Sequence, residues 1–195
     1  ILFLSSSAVY GPPATLDMIH ENTPLHPDDP YSFSKIESEL LLAERAWSKN
    51  TPFLALRPSI VFGAGDRGKS LVGRWAAAIH RGMTVAVKGR GTARIDLVSV
   101  EDVSDLVAAW VQRPFGGAVN AVSGQSLRVT EILALIGQAL GQKVDLNLQA
   151  RAHEAEFDQI FDTTCLRTLF PKWSPRPIPQ ALETYVRQSI VNPAP

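Results

Sequence analysis

Cysteine is nearly absent from this chain of 195 residues. Cys165 stands alone, which excludes an intrachain disulfide and a cysteine metal cluster. Its plain role is that of a small packed residue in reducing surroundings, so a cytoplasmic protein is expected. An excess of one charge is lacking too. Lys+Arg and Asp+Glu each number 19, for a formal net charge of zero, which gives no electrostatic grip on nucleic acid or an anionic membrane. Apolar runs are short, well below the ~20 residues of a membrane helix. An initiator Met is also missing. The chain opens directly in Ile1-Leu2-Phe3-Leu4, which reads as a strand buried on both faces rather than a signal peptide. That opening leads to the expectation of the C-terminal part of a longer protein.

What is present is an ordinary globular composition, 45% apolar and 19% charged, enough for one domain or one domain with a small lobe. Five prolines between residues 11 and 30 predict a loop. Pro30 sets a boundary before a helix over 31–48, where Ile36, Leu40, Ala43 and Trp47 recur at helical spacing. Residues 53–62 read as one strand and 63–69 as a Gly-rich loop. Helices are predicted over 71–81, 101–112, 130–140, 162–169 and 179–190, with strands over 84–87, 95–100, 118–122 and 144–148. This alternation predicts an α/β protein with a mainly parallel sheet. The histidines (His20, His26, His80, His153) have no ligand spacing, and no metal site is expected.

Tyr31 and Lys35 lie one helical turn apart and share a face. A phenol is a poor base at neutral pH, and an adjacent ammonium favours its ionised form. A hydroxyl at a strand end, from the run Ser5-Ser6-Ser7, completes a workable proton-transfer site.

The block LSSSAVYG followed by E-x-T-P-L-x-P-x-x-P-Y-x-x-S-K (Leu4–Lys35) closely resembles the extended short-chain dehydrogenase/reductase family, the nucleotide-sugar epimerases and dehydratases. Leu56-Arg57-Pro58 with Val61-Phe62-Gly63, the segment from Arg94 to Val103, Val119-Asn120 with Ser123-Gly124, and the helix near Asp162–Leu169 are similar to later family segments in the same order. The resemblance implies the last strands of a Rossmann-type sheet with a smaller C-terminal substrate lobe. Residues 1–62 and a returning 95–115 would form the former, and 63–94 and 116–195 the latter. It implies Ser6, Tyr31 and Lys35 as catalytic residues, with Ser6 chosen by its spacing before Tyr31. Cofactor contacts would fall on Ser5, Tyr31, Lys35, Pro58 and Ile60, and substrate contacts on Ser7, Arg94 and Arg151. The implied cofactor is NAD or NADP, with NAD first, held mainly by a segment before residue 1. The implied partners are a nucleotide sugar and a second copy of the chain, docked through the 31–48 helix. Family members often carry Asn where this chain has Ile60, and the phosphate-binding Arg falls on Ile95 or on Arg94. A ketone reductase using NADPH is therefore a further reading, and the lack of the family's glycine fingerprint would suit another, a non-catalytic binding module.

A rival motif overlaps the Gly-rich loop. Gly63–Ser70 fits G-x-x-x-x-G-K-[ST], in which backbone N–H groups cradle phosphate, Lys69 reaches the terminal oxygens and Ser70 holds Mg²⁺. No strand ends in a clear Mg²⁺-holding Asp. A compact nest of N–H groups around one point would favour nucleotide binding there, and an open loop would not.

Overall fold

The computed structural model describes residues 1–12, 18–66, 68–150 and 157–191. In chain order the strands are β1 (Leu2–Leu4), β2 (Leu54–Pro58), β3 (Ile60–Phe62), β4 (Val85–Lys88), β5 (Arg94–Ile95), β6 (Leu97–Ser99), β7 (Gly117–Ala121), β8 (Leu127–Arg128) and β9 (Leu146–Gln149). The helices are α1 (Pro30–Ser48), α2 (Leu71–His80), α3 (Val100–Gln112), α4 (Val129–Leu140), α5 (Thr164–Leu169) and α6 (Ile178–Val186). A 3-10 turn covers Ser7–Tyr10, and a wide turn continues α6 over Arg187–Val191.

The largest sheet is parallel, in the order β1–β2–β7, with Leu2 opposite Leu54 and Leu54 opposite Gly117. β2 is its centre, and Leu54, Ala55 and Leu56 are buried. Both faces of such a strand need cover, which is why it reads as a near-continuous apolar run. Further parallel pairs join β3 to β6 and β4 to β9, and an antiparallel pair joins β5 to β8.

The expected single strand over 53–62 is two strands. Pro58 has no N–H to continue the ladder, and Ser59 breaks the run. The chain then leaves the β1–β2–β7 sheet and pairs with β6. Buried Asp96 holds this crossing. It accepts from Ser59 Oγ at 2.7 Å, Ser123 N at 2.9 Å and Ser123 Oγ at 2.9 Å. Burial raises the Asp96 carboxyl above its usual range, against the pull of these hydrogen bonds.

α1 begins where its sequence says. Asp29 caps it, accepting from Ser32 N at 2.6 Å while Ser32 Oγ accepts from Asp29 N at 3.2 Å, with Pro30 in the first turn. This reciprocal box satisfies donors that a helix start otherwise leaves open. The buried face differs from expectation. Ser32, Glu39 and Ala46 are buried, whereas Leu40 is 67% and Trp47 84% exposed. The face turns because Glu39 is drawn inward by Arg57 (below).

Two apolar cores result. One packs Leu54, Leu56, Val98, Leu106, Trp110 and Val119 around the main sheet. The other packs Phe62, Val72, Ile79, Leu97, Ile132 and Leu182. β6 divides between them by strand alternation, Val98 facing one and Leu97 the other. The segment 116–195, expected wholly in the lobe, is split. β7 pairs along β2, and Phe161, Leu166 and Phe170 pack in the sheet core, while α4 and α6 fill the other. The reason is burial: Val119 and Ala121 on one face of β7 and Asn120 on the other have no exposed surface, so both faces of the strand are covered. Among the described residues no helix is long and apolar enough to cross a membrane.

Candidate active site

The serine run leaves the C-terminal end of β1, where ligands of open parallel sheets gather. Ser5 is buried and its N–H bonds Leu56 O at 2.8 Å, but its Oγ has no partner. Ser6 caps the 3-10 turn, its Oγ accepting from Ala8 N at 3.1 Å. Ser7 opens that turn. Gly11 ends it at φ 64°, and a Cβ there would stand 2.1 Å from His26 O, so only glycine lets the two loops pass.

Lys35 joins α1 to this strand end. Its Nζ donates to Leu4 O at 2.8 Å, directly before the serines. The same ammonium lies 5.5 Å from the Tyr31 ring centroid and 5.0 Å from that of Phe3. Tyr31 is 52% exposed. Lys35 thus stands between the Tyr31 ring and the carbonyl that precedes the serines. A cleft of about 300 Å³ borders this end, lined by Ala8, Gly11, Pro12, Asp28, Phe157 and Gln159.

A second set of residues, not singled out in the sequence, supports the first. Arg57 forms a bidentate pair with Glu39, Nε to Oε1 at 3.0 Å and Nη2 to Oε2 at 2.6 Å. Arg57 Nη1 also donates to Tyr10 OH at 2.9 Å, which donates to Asn120 Oδ1 at 2.7 Å. Asn120 N donates to Glu21 Oε1 at 2.9 Å, and Asn120 Nδ2 is buried without a partner. Burial lowers the Arg57 pKa, but hydrogen bonds with Glu39 outweigh this and the net shift is upward. Burial raises the Tyr10 phenol against the opposing Arg57 charge. Tyr10 is thus held inside the core by Arg57 and Asn120, whereas Tyr31 is half exposed. The signal was readable: an Arg inside an apolar strand demands a carboxylate, and Glu39 follows Lys35 by one more helical turn.

The other implied residues spread out. Pro58 ends β2, and Ile60 packs against the lobe core. Arg94 lies opposite Arg128 across β5–β8; its N–H donates to Asp158 Oδ1 at 2.8 Å and its side chain is exposed. Arg151 lies outside the described residues.

Among the described residues of the Gly63–Ser70 loop, the N–H groups of Gly68 and Lys69 both turn to Asp66 instead of converging as a nest on a vacant point, which corrects the rival motif. Gly68 N donates to Asp66 Oδ1 at 2.7 Å, and Ser70 Oγ donates to Asp66 Oδ2. Tyr185 OH bonds both Asp66 oxygens at 2.8 Å, and Ser70 caps α2 by accepting from Gly73 N. A carboxylate already fills the place a phosphate needs. Burial, then Asp66, pushes the Tyr185 phenol well up.

The chain is thus a parallel-sheet α/β protein with a Tyr–Lys helix beside a serine-bearing strand end. Residues 1–122 match the model of the NAD dependent epimerase/dehydratase family, and the chain belongs to that family. It is 27% identical over 146 residues to GDP-6-deoxy-D-mannose reductase of Pseudomonas aeruginosa, a match covering 69% of this chain and 47% of that protein. The chain thus spans about half the length of the curated relatives it matches. Its fold is that of UDP-glucose 4-epimerase from Thermus thermophilus in complex with NAD (TM-score 0.82, 22% identity, 97% of this chain and 64% of that one). dTDP-glucose 4,6-dehydratase from Bacillus anthracis with NAD is similar too (TM-score 0.85, 21% identity, 98% and 61%).

Proposed function

We propose that this chain carries the proton-transfer site of a NAD(P)-dependent epimerase/dehydratase acting on a nucleotide sugar, of the UDP-glucose 4-epimerase type. The observation that carries the reading is Lys35, whose Nζ bonds the carbonyl of Leu4 at the serine run and lies beside the Tyr31 ring. In this reading Tyr31 takes the proton of a sugar hydroxyl, Ser6 hydrogen-bonds the same oxygen, and the Lys35 charge favours the phenolate. The names of the relatives, which act on nucleotide sugars, support the substrate class.

The residues present fit the nicotinamide end of the cofactor. Ser5 Oγ is a buried hydroxyl with no partner next to Lys35 and its bonded carbonyl, and a polar ligand group there would satisfy it. Ser5, Lys35 and Pro58 would line that side, with NAD the first choice. When bound, the nicotinamide supplies a hydride acceptor. A second reading, a reductase of the same fold, is favoured by the likeness to GDP-6-deoxy-D-mannose reductase and keeps the same proton-transfer residues.

Phe33, Leu40 and Trp47 recur every seven residues along the exposed side of α1, which supports a homodimer through this helix. Sedimentation of the chain beside Leu40→Ser/Trp47→Ser tests it, with dimer expected for the former and monomer for the latter.

The central test is conversion of UDP-glucose to UDP-galactose with added NAD. Turnover is expected to fall about 10²–10⁴-fold in Tyr31→Phe, the usual worth of general acid–base catalysis. Equal activity of the two proteins would refute the assignment.

A further inference from the structure

A cavity of about 670 Å³ opens between the C-terminal ends of α3 and α5. It lies at the N-terminal end of β7, because Phe115 in its wall precedes Gly117, where the strand begins. The serines leave the opposite, C-terminal end of the same parallel sheet. A strand of this length places the two roughly 15 Å apart, so the cavity is separate from the serine-bearing strand end. Its size falls within the range of small-molecule sites, about 300–1,000 Å³.

The walls are aromatic and held in place. Phe115 and Phe170 meet edge to face, with ring centroids 5.4 Å apart at 63°. Trp110 Nε1 donates to Phe115 O at 2.9 Å, which fixes the loop that bears this ring. Trp173 Nε1 donates to Asp102 O at 3.1 Å, which turns its indole edge away and leaves ring surface for the cavity. These polar tips already have partners, so what the walls offer a ligand is apolar ring area.

The charges at the mouth have one sign. Arg113 and Lys172 line it, and no carboxylate does. The nearby acids Asp102 and Asp105 are paired with Arg176, while neither Arg113 nor Lys172 forms an ion pair among the described residues. Two helix C-termini face the site, each worth at most about half a negative charge. Two full positive charges exceed that sum, so the mouth is net positive.

We propose that this cavity is a binding site for a small aromatic anion, a flat aromatic carboxylate or sulfonate. Its ring enters among Phe115, Phe170 and Trp173, and its anionic group pairs with Arg113 and Lys172. The site does not depend on the reading of Tyr31, and it lies at the end of the sheet opposite the serine run.

The test is calorimetric titration of the 195-residue chain with 2-naphthoate, alongside NMR of the tryptophan indole N–H signals. Saturable one-to-one binding that shifts the Trp173 indole resonance is expected. Arg113→Glu/Lys172→Glu, two exposed positions, should weaken affinity at least tenfold with unchanged circular dichroism. Octanoate, equal in charge but without a ring, should bind at least tenfold more weakly than 2-naphthoate. Binding that survives the charge reversal would overturn the proposal. So would shifts confined to the α1 face, equal affinity for octanoate, or no saturable binding.

Discussion

Arg57 on β2 and Glu39 on α1 form a two-pronged ion pair with side chains 6% and 9% exposed. Glu39 lies four residues after Lys35 and eight after Tyr31, on the same helical face. The pair therefore sets the rotation of α1 about its own axis and, with it, where Tyr31 and Lys35 stand against the end of β1. A buried ion pair is weak as a source of stability but strong as a determinant of one arrangement over another.

Breaking that pair should be costly. Glu39→Ala leaves the Arg57 guanidinium buried beside Tyr10 with no carboxylate, and removal of one partner costs about 3–5 kcal/mol. Urea unfolding should show this loss, while Glu39→Leu/Arg57→Met, which removes both charges, should lose much less. An Ala variant as stable as the parent would show that the pair does not fix α1.

Tyr31→Phe should behave in the opposite way. The side chain is half exposed, so stability should change by no more than about 0.5 kcal/mol. Tyr10→Phe, by contrast, strips Asn120 of its donor and Arg57 of one acceptor inside the core. It should cost about 1–3 kcal/mol. Thermal unfolding of the two variants separates the structural tyrosine from the free one.

Asp96 gives the fold a pH dependence with a definite sign. Burial raises its carboxyl in the folded chain above the ordinary value of 3.8, so the folded state holds its proton at higher pH than the unfolded state. Its contribution to stability is therefore fully present below 3.8 and is lost as pH rises through the raised value. The urea midpoint of the parent should fall relative to that of Asp96→Asn as pH rises from about 3.5 into that window, then run parallel above it. A difference that grows in the parent's favour over the window would contradict the assignment.

Gly73→Ala sets two effects against each other. Alanine is the better helix former by about 1 kcal/mol, and Gly73 lies inside α2. Yet a Cβ there would stand 2.7 Å from Asp66 Oδ2, 2.8 Å from Gly68 Cα and 2.8 Å from Tyr185 OH. Crowding of this kind costs about 1–3 kcal/mol, and the backbone atom at Gly68 cannot swing aside as a side-chain end can. The net effect should be a melting temperature lower by several degrees, since about 1 kcal/mol is worth roughly 2–4 °C at this chain length. A rise would mean that the Asp66–Tyr185 closure yields readily.

Much of this was legible in the sequence because its causes are local. Pro30 announced the start of α1, and the Tyr31–Lys35 spacing announced a shared face. Gly141, left-handed at φ 65°, marked the end of α4. Failures came where a distant partner decided. The stripe Ile36, Leu40, Ala43 and Trp47 has helical period, but Leu40 and Trp47 are turned outward. The G-x-x-x-x-G-K-[ST] pattern has the glycines of a phosphate loop, but Asp66 and Tyr185 close it from within and from 119 residues away.

The sequence by itself determined the alternation of strands and helices, the start of α1 and the pairing of a tyrosine with a lysine one turn on. Each follows from propensities and caps that act within a few residues. Only the tertiary structure decided which side of α1 is buried, where the strand through Pro58 changes sheets, and how residues 116–195 divide between two cores. Those outcomes turn on Arg57 reaching Glu39, on Asp96 gathering Ser59 and Ser123, and on β7 needing cover for both its faces. The side-chain contacts among these join residues 18 to 37 positions apart, and β7 pairs with a strand far earlier in the chain. No short-range signal encodes them.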